Sequence, residues 1–191
     1  EVFVVVIEKC IDLQHSDLQG QFFRLGYNVS TDEEYIGGYL GTDTTGQFYE
    51  VHQMSASEWK NYQKNTEDSY DKYFHGSHVA GIVGAKHDTN GIAGCSKKVN
   101  IIPLFMAWPT GEDAVFDWIL GDLYNTIQTR TGKTPRIIVQ MAVGPNAGNP
   151  GSEVSSYNVQ VHLANYSRAS DAGVLIVESA GNDARDLYNG T

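Results

Sequence analysis

Residues 74 to 85 read FHGSHVAGIVGA, a histidine at the head of a run of mostly small side chains. Ala80, Gly81, Gly84 and Ala85 recur at helical spacing with Val79, Ile82 and Val83 among them, so residues 75 to 85 are predicted to form a helix. Small side chains leave little between the helix backbone and whatever it packs on, so the helix should lie close against a sheet.

The flanking sequence supplies that sheet. VFVVVI, residues 2 to 7, is an unbroken β-branched and aromatic run, the signature of a strand buried on both faces in a parallel sheet, and it stops at Glu8. Beyond the helix come a turn-rich DTNG at 88 to 91, a strand VNIIPLFM at 99 to 106, an amphipathic segment from Glu112 to about Arg130, and a strand RIIVQMAV at 136 to 143. After the Gly/Pro-rich GPNAGNPGS, a helix is expected from Tyr157 to Ala172, ending at Gly173, and VLIVESAGND gives a last strand and loop. Strands alternating with helices predict an α/β fold, a doubly wound parallel sheet whose sites gather at the carboxyl ends of the strands. From Gln21 to Tyr73 the sequence is polar and aromatic, with GG at 37 and 38 and TT at 44 and 45, and reads as loops and a hairpin with little core.

A chain of 191 residues with 41% hydrophobic content is expected to form one domain or part of one. Its formal charge of -10 disfavours phosphate backbones and anionic membranes as partners. No apolar run approaches the roughly 20 residues a membrane helix needs. The two cysteines, Cys10 and Cys95, fit either one bridge or two free thiols. Sequons at Asn28, Asn165 and Asn189 are candidate glycosylation sites and lean toward a secreted, extracellular protein. The start at Glu1, with no Met and no charged leader, looks like a cut.

Three polar positions should converge at the carboxyl edge of such a sheet: Glu8 after the first strand, Asn182 after the last, and His75 opening the small-residue helix. A helix N-terminus favours the neutral imidazole that a general base needs, and a neighbouring carboxylate fixes its tautomer. His75 and His78 also form H-x-x-H, but no Glu follows in the H-E-x-x-H manner, so zinc is set aside and His78 is read as structural. Ser57 and Lys60 spell S-x-x-K in a polar loop, which is discounted as chance. No glycine-rich phosphate motif follows a strand, which argues against a nucleotide site.

At these residues the chain resembles the subtilisin-like serine peptidases, the subtilases of peptidase family S8. VVVIEKCIDLQHSDL is similar to the family's strand-plus-acid motif, HGSHVAGIVGA followed by NGIAG to its histidine motif, IVQMAVG to its substrate strand, and SAGND to its oxyanion loop. The resemblance implies His75 as general base, Glu8 as the carboxylate that orients it, and Asn182 as the side-chain oxyanion donor. It implies that the backbone of Ala142, Val143 and Gly144 binds a peptide substrate by strand addition. It also implies a calcium site, with carboxylates from Asp17 and Asp88 and main-chain oxygens from Lys86, Asn90 and Ile92, hard ligands suited to Ca²⁺.

The chain departs from the family's pattern as well. No GTS-type serine motif occurs, so the resemblance implies a domain incomplete at both ends, its serine outside this chain, either on a partner polypeptide carrying the missing half or on a further part of the same protein. Glu8 stands where the family has Asp, a change that moves the carboxylate by about an ångström. Lys9, Cys10, Phe74, Gln140 and Ala142 also differ around the cleft. Two functions remain open: part of a serine endopeptidase, or a catalytically inactive module with a structural or binding role in an extracellular assembly. A half sheet with a bare apolar edge is not expected to fold alone.

Overall fold

The computed structural model describes residues 1–8, 11–12, 15–23, 70–105, 112–142 and 156–179, with four two-residue strands between 27 and 49. The first strand, β1 (Phe3–Ile7), is buried at all five positions, as an unbroken apolar run demands. It lies centrally, parallel to β6 (Asn100–Phe105) on one side and to β7 (Ile137–Met141) on the other, with β8 (Leu175–Glu178) parallel beyond β7.

Part of the polar segment joins this sheet, where only loops and a hairpin are expected. β2 (Tyr27–Asn28) pairs in parallel with β6, and β3 (Glu33–Glu34) closes that edge antiparallel. Its aromatic residues account for the difference. Phe22 bridges to Ile101, and Phe23 packs edge-on against Phe3 with ring centroids 4.7 Å apart, so the chain enters the segment anchored to the sheet edge. The expected hairpin is present as β4 (Gly41–Thr42) and β5 (Phe48–Tyr49), outside the main sheet. The strand order is β3-β2-β6-β1-β7-β8.

From β1 the chain moves one way to β6 and then crosses back over β1 to β7. Because crossovers between parallel strands are right-handed, this reversal puts helices on opposite faces and opens a crevice at the carboxyl ends of β1 and β7. One face carries α1 (Tyr70–Gly84). The other carries α2 (Glu112–Trp118), a wide π turn (Ile119–Leu123) and α3 (Tyr124–Thr131), together spanning the amphipathic segment the sequence outlines, and then α4 (Ser156–Asp171). Phe116, Ile119, Leu123 and Ile127 are all 0% exposed, so the π turn keeps one apolar stripe on the sheet. Gly132 and Gly173, at positive φ, end α3 and follow α4.

α1 approaches the sheet as its small residues imply: a Cβ on Gly84 would overlap the side chain of Val99. Its start is different. α1 begins at Tyr70 rather than at His75, since residues 70 to 74 contain no glycine or proline to stop it. His75 therefore sits in the second turn, where the helix-terminal field has largely decayed, and the N-terminal argument for a neutral imidazole does not hold.

The two faces are unequally covered. Val4 and Val6 lie under α1 with Ala80 and Ile101. Leu175 and Val177 of β8, in register with Ile138 and Gln140 of β7, are 58% and 47% exposed. Among the described residues no helix covers that half of the face.

Candidate active site

Leu104, Ile7, Met141 and Glu178 stand in one transverse row across β6, β1, β7 and β8. The residues that follow the last three are Glu8, Ala142 and Ser179, so sheet register alone sets two candidate site residues, Glu8 and Ala142, beside the start of the loop that carries Asn182. Backbone bonds fix the step: the Glu8 amide donates to the Leu104 carbonyl at 3.0 Å, and the Ser179 amide to the Met141 carbonyl at 3.1 Å.

Glu8 turns its carboxylate toward α1, where Oε2 lies 2.9 Å from His75 Nδ1. The Glu8 side chain is 2% exposed and that of His75 is 41% exposed. An ionised carboxylate only accepts, so this contact places a proton on Nδ1 and leaves Nε2 as the ring nitrogen not engaged by Glu8. The extra methylene of Glu8 is thus absorbed: with this backbone, a glutamate reaches the imidazole at ordinary hydrogen-bond distance.

A residue not singled out by sequence supports the pair. Ser77 Oγ accepts the Asp12 amide at 2.8 Å, clipping the chain after β1 to α1 two residues from His75. A small hydroxyl inside an H-x-x-H helix gives little signal, because its partner is 65 residues away. His78 is exposed and lines a cavity of about 510 Å³ with His15 and Ile92. Among the described residues no group of three or more His, Cys, Asp or Glu side chains converges on a metal-binding geometry.

The Asp17 region is compact. Asp17 is 8% exposed, its carbonyl accepts the Lys86 amide at 2.9 Å, and its Oδ2 accepts the Ile92 amide at 3.3 Å. Gly91, at φ +62°, passes so close that any Cβ would overlap the Asp17 carboxylate. Asp88 Oδ1 accepts the Asn90 amide at 2.8 Å, and Lys86 Nζ reaches the Ser16 carbonyl. The loop from 86 to 92 therefore folds around one buried acid, Asp17.

Asn165 corrects a sequence expectation. It is 1% exposed, its Nδ2 donates to Asp113 Oδ1 at 2.9 Å, and its Oδ1 accepts from Arg168 at 3.1 Å. The nitrogen a glycan would occupy is buried and bonded, so Asn165 is not an acceptor in this fold. The backbone of Asn28 lies in β2. Val143, Gly144, Asn182, Asn189, Lys9 and Cys10 lie outside the described residues. Cys95 is a free, exposed thiol.

A family model for the subtilases matches residues 1–190. A subtilisin-like protease of Coccidioides posadasii is 32% identical over 184 residues, covering 94% of this chain and 40% of the relative. The alkaline proteinase of Hapsidospora chrysogena is 28% identical over 166 residues, covering 84% of this chain and 36% of the relative. This chain therefore spans well under half the length of these curated relatives. Among solved structures, fervidolysin from Fervidobacterium pennivorans, a keratinolytic enzyme related to subtilisin, aligns over 98% of this chain and 22% of its own with a TM-score of 0.51 and 23% identity. The S41 psychrophilic protease aligns over 97% of this chain and 47% of its own with a TM-score of 0.55 and 16% identity. At such identities the structural likeness establishes the fold.

Proposed function

Because the chain belongs to the subtilase family, we propose that it supplies the base, its orienting acid and the substrate strand of a serine endopeptidase whose nucleophile lies outside these residues. The observation that carries this is the 2.9 Å contact between His75 Nδ1 and the buried Glu8 carboxylate. In the proposed reaction His75 Nε2 takes the proton of the serine hydroxyl as its oxygen bonds to the peptide carbonyl carbon. Glu8 holds the ring and stabilises the imidazolium, and the Asn182 amide donates to the oxyanion. The proton then passes to the leaving amine as the C–N bond breaks, and water repeats the sequence on the acyl-enzyme. Ala142, Val143 and Gly144 would hold the substrate as an added strand, consistent with Ala142 leaving the sheet directly after the end of β7.

The segment bearing the serine is proposed to lie over Leu175 and Val177, the uncovered part of the α1 face. Calcium is proposed at Asp17 and Asp88 with the main-chain oxygens of Lys86, Asn90 and Ile92, where it would supply structural cross-linking of the loop rather than chemistry. Secretion is part of the same proposal, supported by the sequons at Asn28 and Asn189. No helix among the described residues is long and apolar enough to cross a membrane.

The test is a fluorophosphonate probe on the intact native protein. Labelling of one serine, abolished by His75→Ala, is expected. Absence of labelling in the folded parent overturns the peptidase proposal and favours the inactive binding module, the reading that the altered residues Glu8, Cys10 and Phe74 support by sequence.

A further inference from the structure

The transverse row that ends in the candidate site contains one anomaly. Leu104, Ile7 and Met141 are apolar and at most 1% exposed, yet the fourth member is Glu178. Its side chain is 28% exposed at the sheet edge, so water could satisfy it, yet the protein contacts it makes are specific. Tyr166 on α4 donates its hydroxyl to Glu178 Oε2 at 2.9 Å. One turn away on the same helix, His162 Nε2 lies 3.6 Å from that oxygen. The other ring nitrogen, Nδ1, lies 3.1 and 3.2 Å from the two oxygens of Glu112, which is 5% exposed in the first turn of α2. The His162 and Tyr166 rings are packed with centroids 4.0 Å apart. α2, α4 and β8 are thereby joined through one polar chain.

Tyr166 does more than satisfy Glu178. Its hydroxyl is also 3.7 Å from the Met141 sulfur, so one oxygen touches the last residue of β7 and the last residue of β8. Those strands are already linked there by the Ser179 amide on the Met141 carbonyl. Burial, and next the hydrogen bond to Glu178, hold the phenol far above its usual titration range, so it remains a donor at any working pH. An aliphatic side chain would fill the same space, but apolar contact is non-directional and permits sliding. A hydrogen bond to one strand end with a sulfur contact to the other fixes their spacing.

We propose that Tyr166, acting through Glu178 and backed by His162 and Glu112, is a positioning residue that sets the spacing of the β7 and β8 ends where the substrate strand and the oxyanion loop leave the sheet. The identity of what is positioned rests on the peptidase proposal; the mechanical role does not.

Two readouts on the intact protein keep these separate. Hydrogen exchange at the Ser179 amide is expected to be about tenfold faster in Tyr166→Phe and Glu178→Leu, with the Ile102 amide of β6 unchanged. Glu178→Gln, which keeps an oxygen for the phenol, should restore the parental rate. If the parent is active, kcat for a peptide substrate should fall about tenfold in Tyr166→Phe with KM within twofold, assayed well below the melting temperature. Parental kcat in an active Tyr166→Phe variant overturns the inference. If the parent labels with no fluorophosphonate, Ser179 exchange decides alone: acceleration upholds the positioning role while the peptidase proposal falls, and a parental rate overturns it.

Discussion

Under the peptidase proposal, replacing Glu8 by Asp restores the residue usual in subtilases and should nevertheless slow catalysis. The side chain shortens by one methylene, about 1.3 Å along its length. On the present backbone the contact to His75 Nδ1 would open from 2.9 Å to roughly 4.2 Å, beyond hydrogen-bond range. At an effective dielectric constant near 20, the carboxylate-imidazolium attraction weakens by about 1.8 kcal/mol, and loss of the charge-assisted hydrogen bond adds roughly 1.5 kcal/mol. His75 is 41% exposed, so screening reduces the sum, and about 2.7 kcal/mol of transition-state stabilisation, a hundredfold in kcat, is the expected loss. The assay is hydrolysis of a chromogenic peptide by the intact protein, accompanied by NMR of the His75 ring, in which the bonded Nδ1 proton resonance should disappear. A Glu8→Asp variant as fast as the parent, with that resonance retained, would refute the reasoning: the chain after β1 would have slack enough for either acid.

Ser77→Ala removes the acceptor for the Asp12 amide and should lower unfolding free energy by about 1 kcal/mol in urea denaturation; an unchanged midpoint would mean that another acceptor replaces it. Chelation of the intact protein should lower the melting temperature, with re-added calcium at a hundred times its Kd worth about 2.7 kcal/mol, while an Asp17→Asn variant should lose most of that response. The raised phenol of Tyr166 makes stability pH-dependent on the alkaline side. The unfolded phenol titrates near 10 and the folded one higher, so above pH 10 the folded state holds the extra proton and stability falls as pH rises. The slope is at most about 1.4 kcal/mol per pH unit, less with solvent screening, and Tyr166→Phe should remove that component from denaturation curves at pH 9 to 11. Identical slopes in parent and variant would count against the raised phenol.

Local pattern carried the architecture. Phe3–Ile7 is buried throughout because a run of β-branched and aromatic side chains has no face to offer water, and Gly84 sits against Val99 because only a residue without Cβ fits there. Both features are written in adjacent residues and survive any choice of partner. The boundaries of α1 were less legible: the histidine motif marks where chemistry is expected, while the helix extends back to Tyr70 because nothing in the preceding residues stops it. The joining of β2 to β6 was hidden for a related reason, since two residues paired at a sheet edge leave no periodicity to detect.

The sequence by itself determined an α/β sheet, the order of its elements and the pairing in kind of an acid with His75, because periodicity and motif spacing are local properties of the chain. Only the tertiary structure decided that Glu8 reaches His75 at 2.9 Å despite its extra methylene, that Asn165 is closed to modification, and that Glu178, Tyr166, His162 and Glu112 form one polar chain joining α2, α4 and β8. Each depends on ångström distances between residues far apart in the chain, and those distances are fixed by sheet register and helix packing.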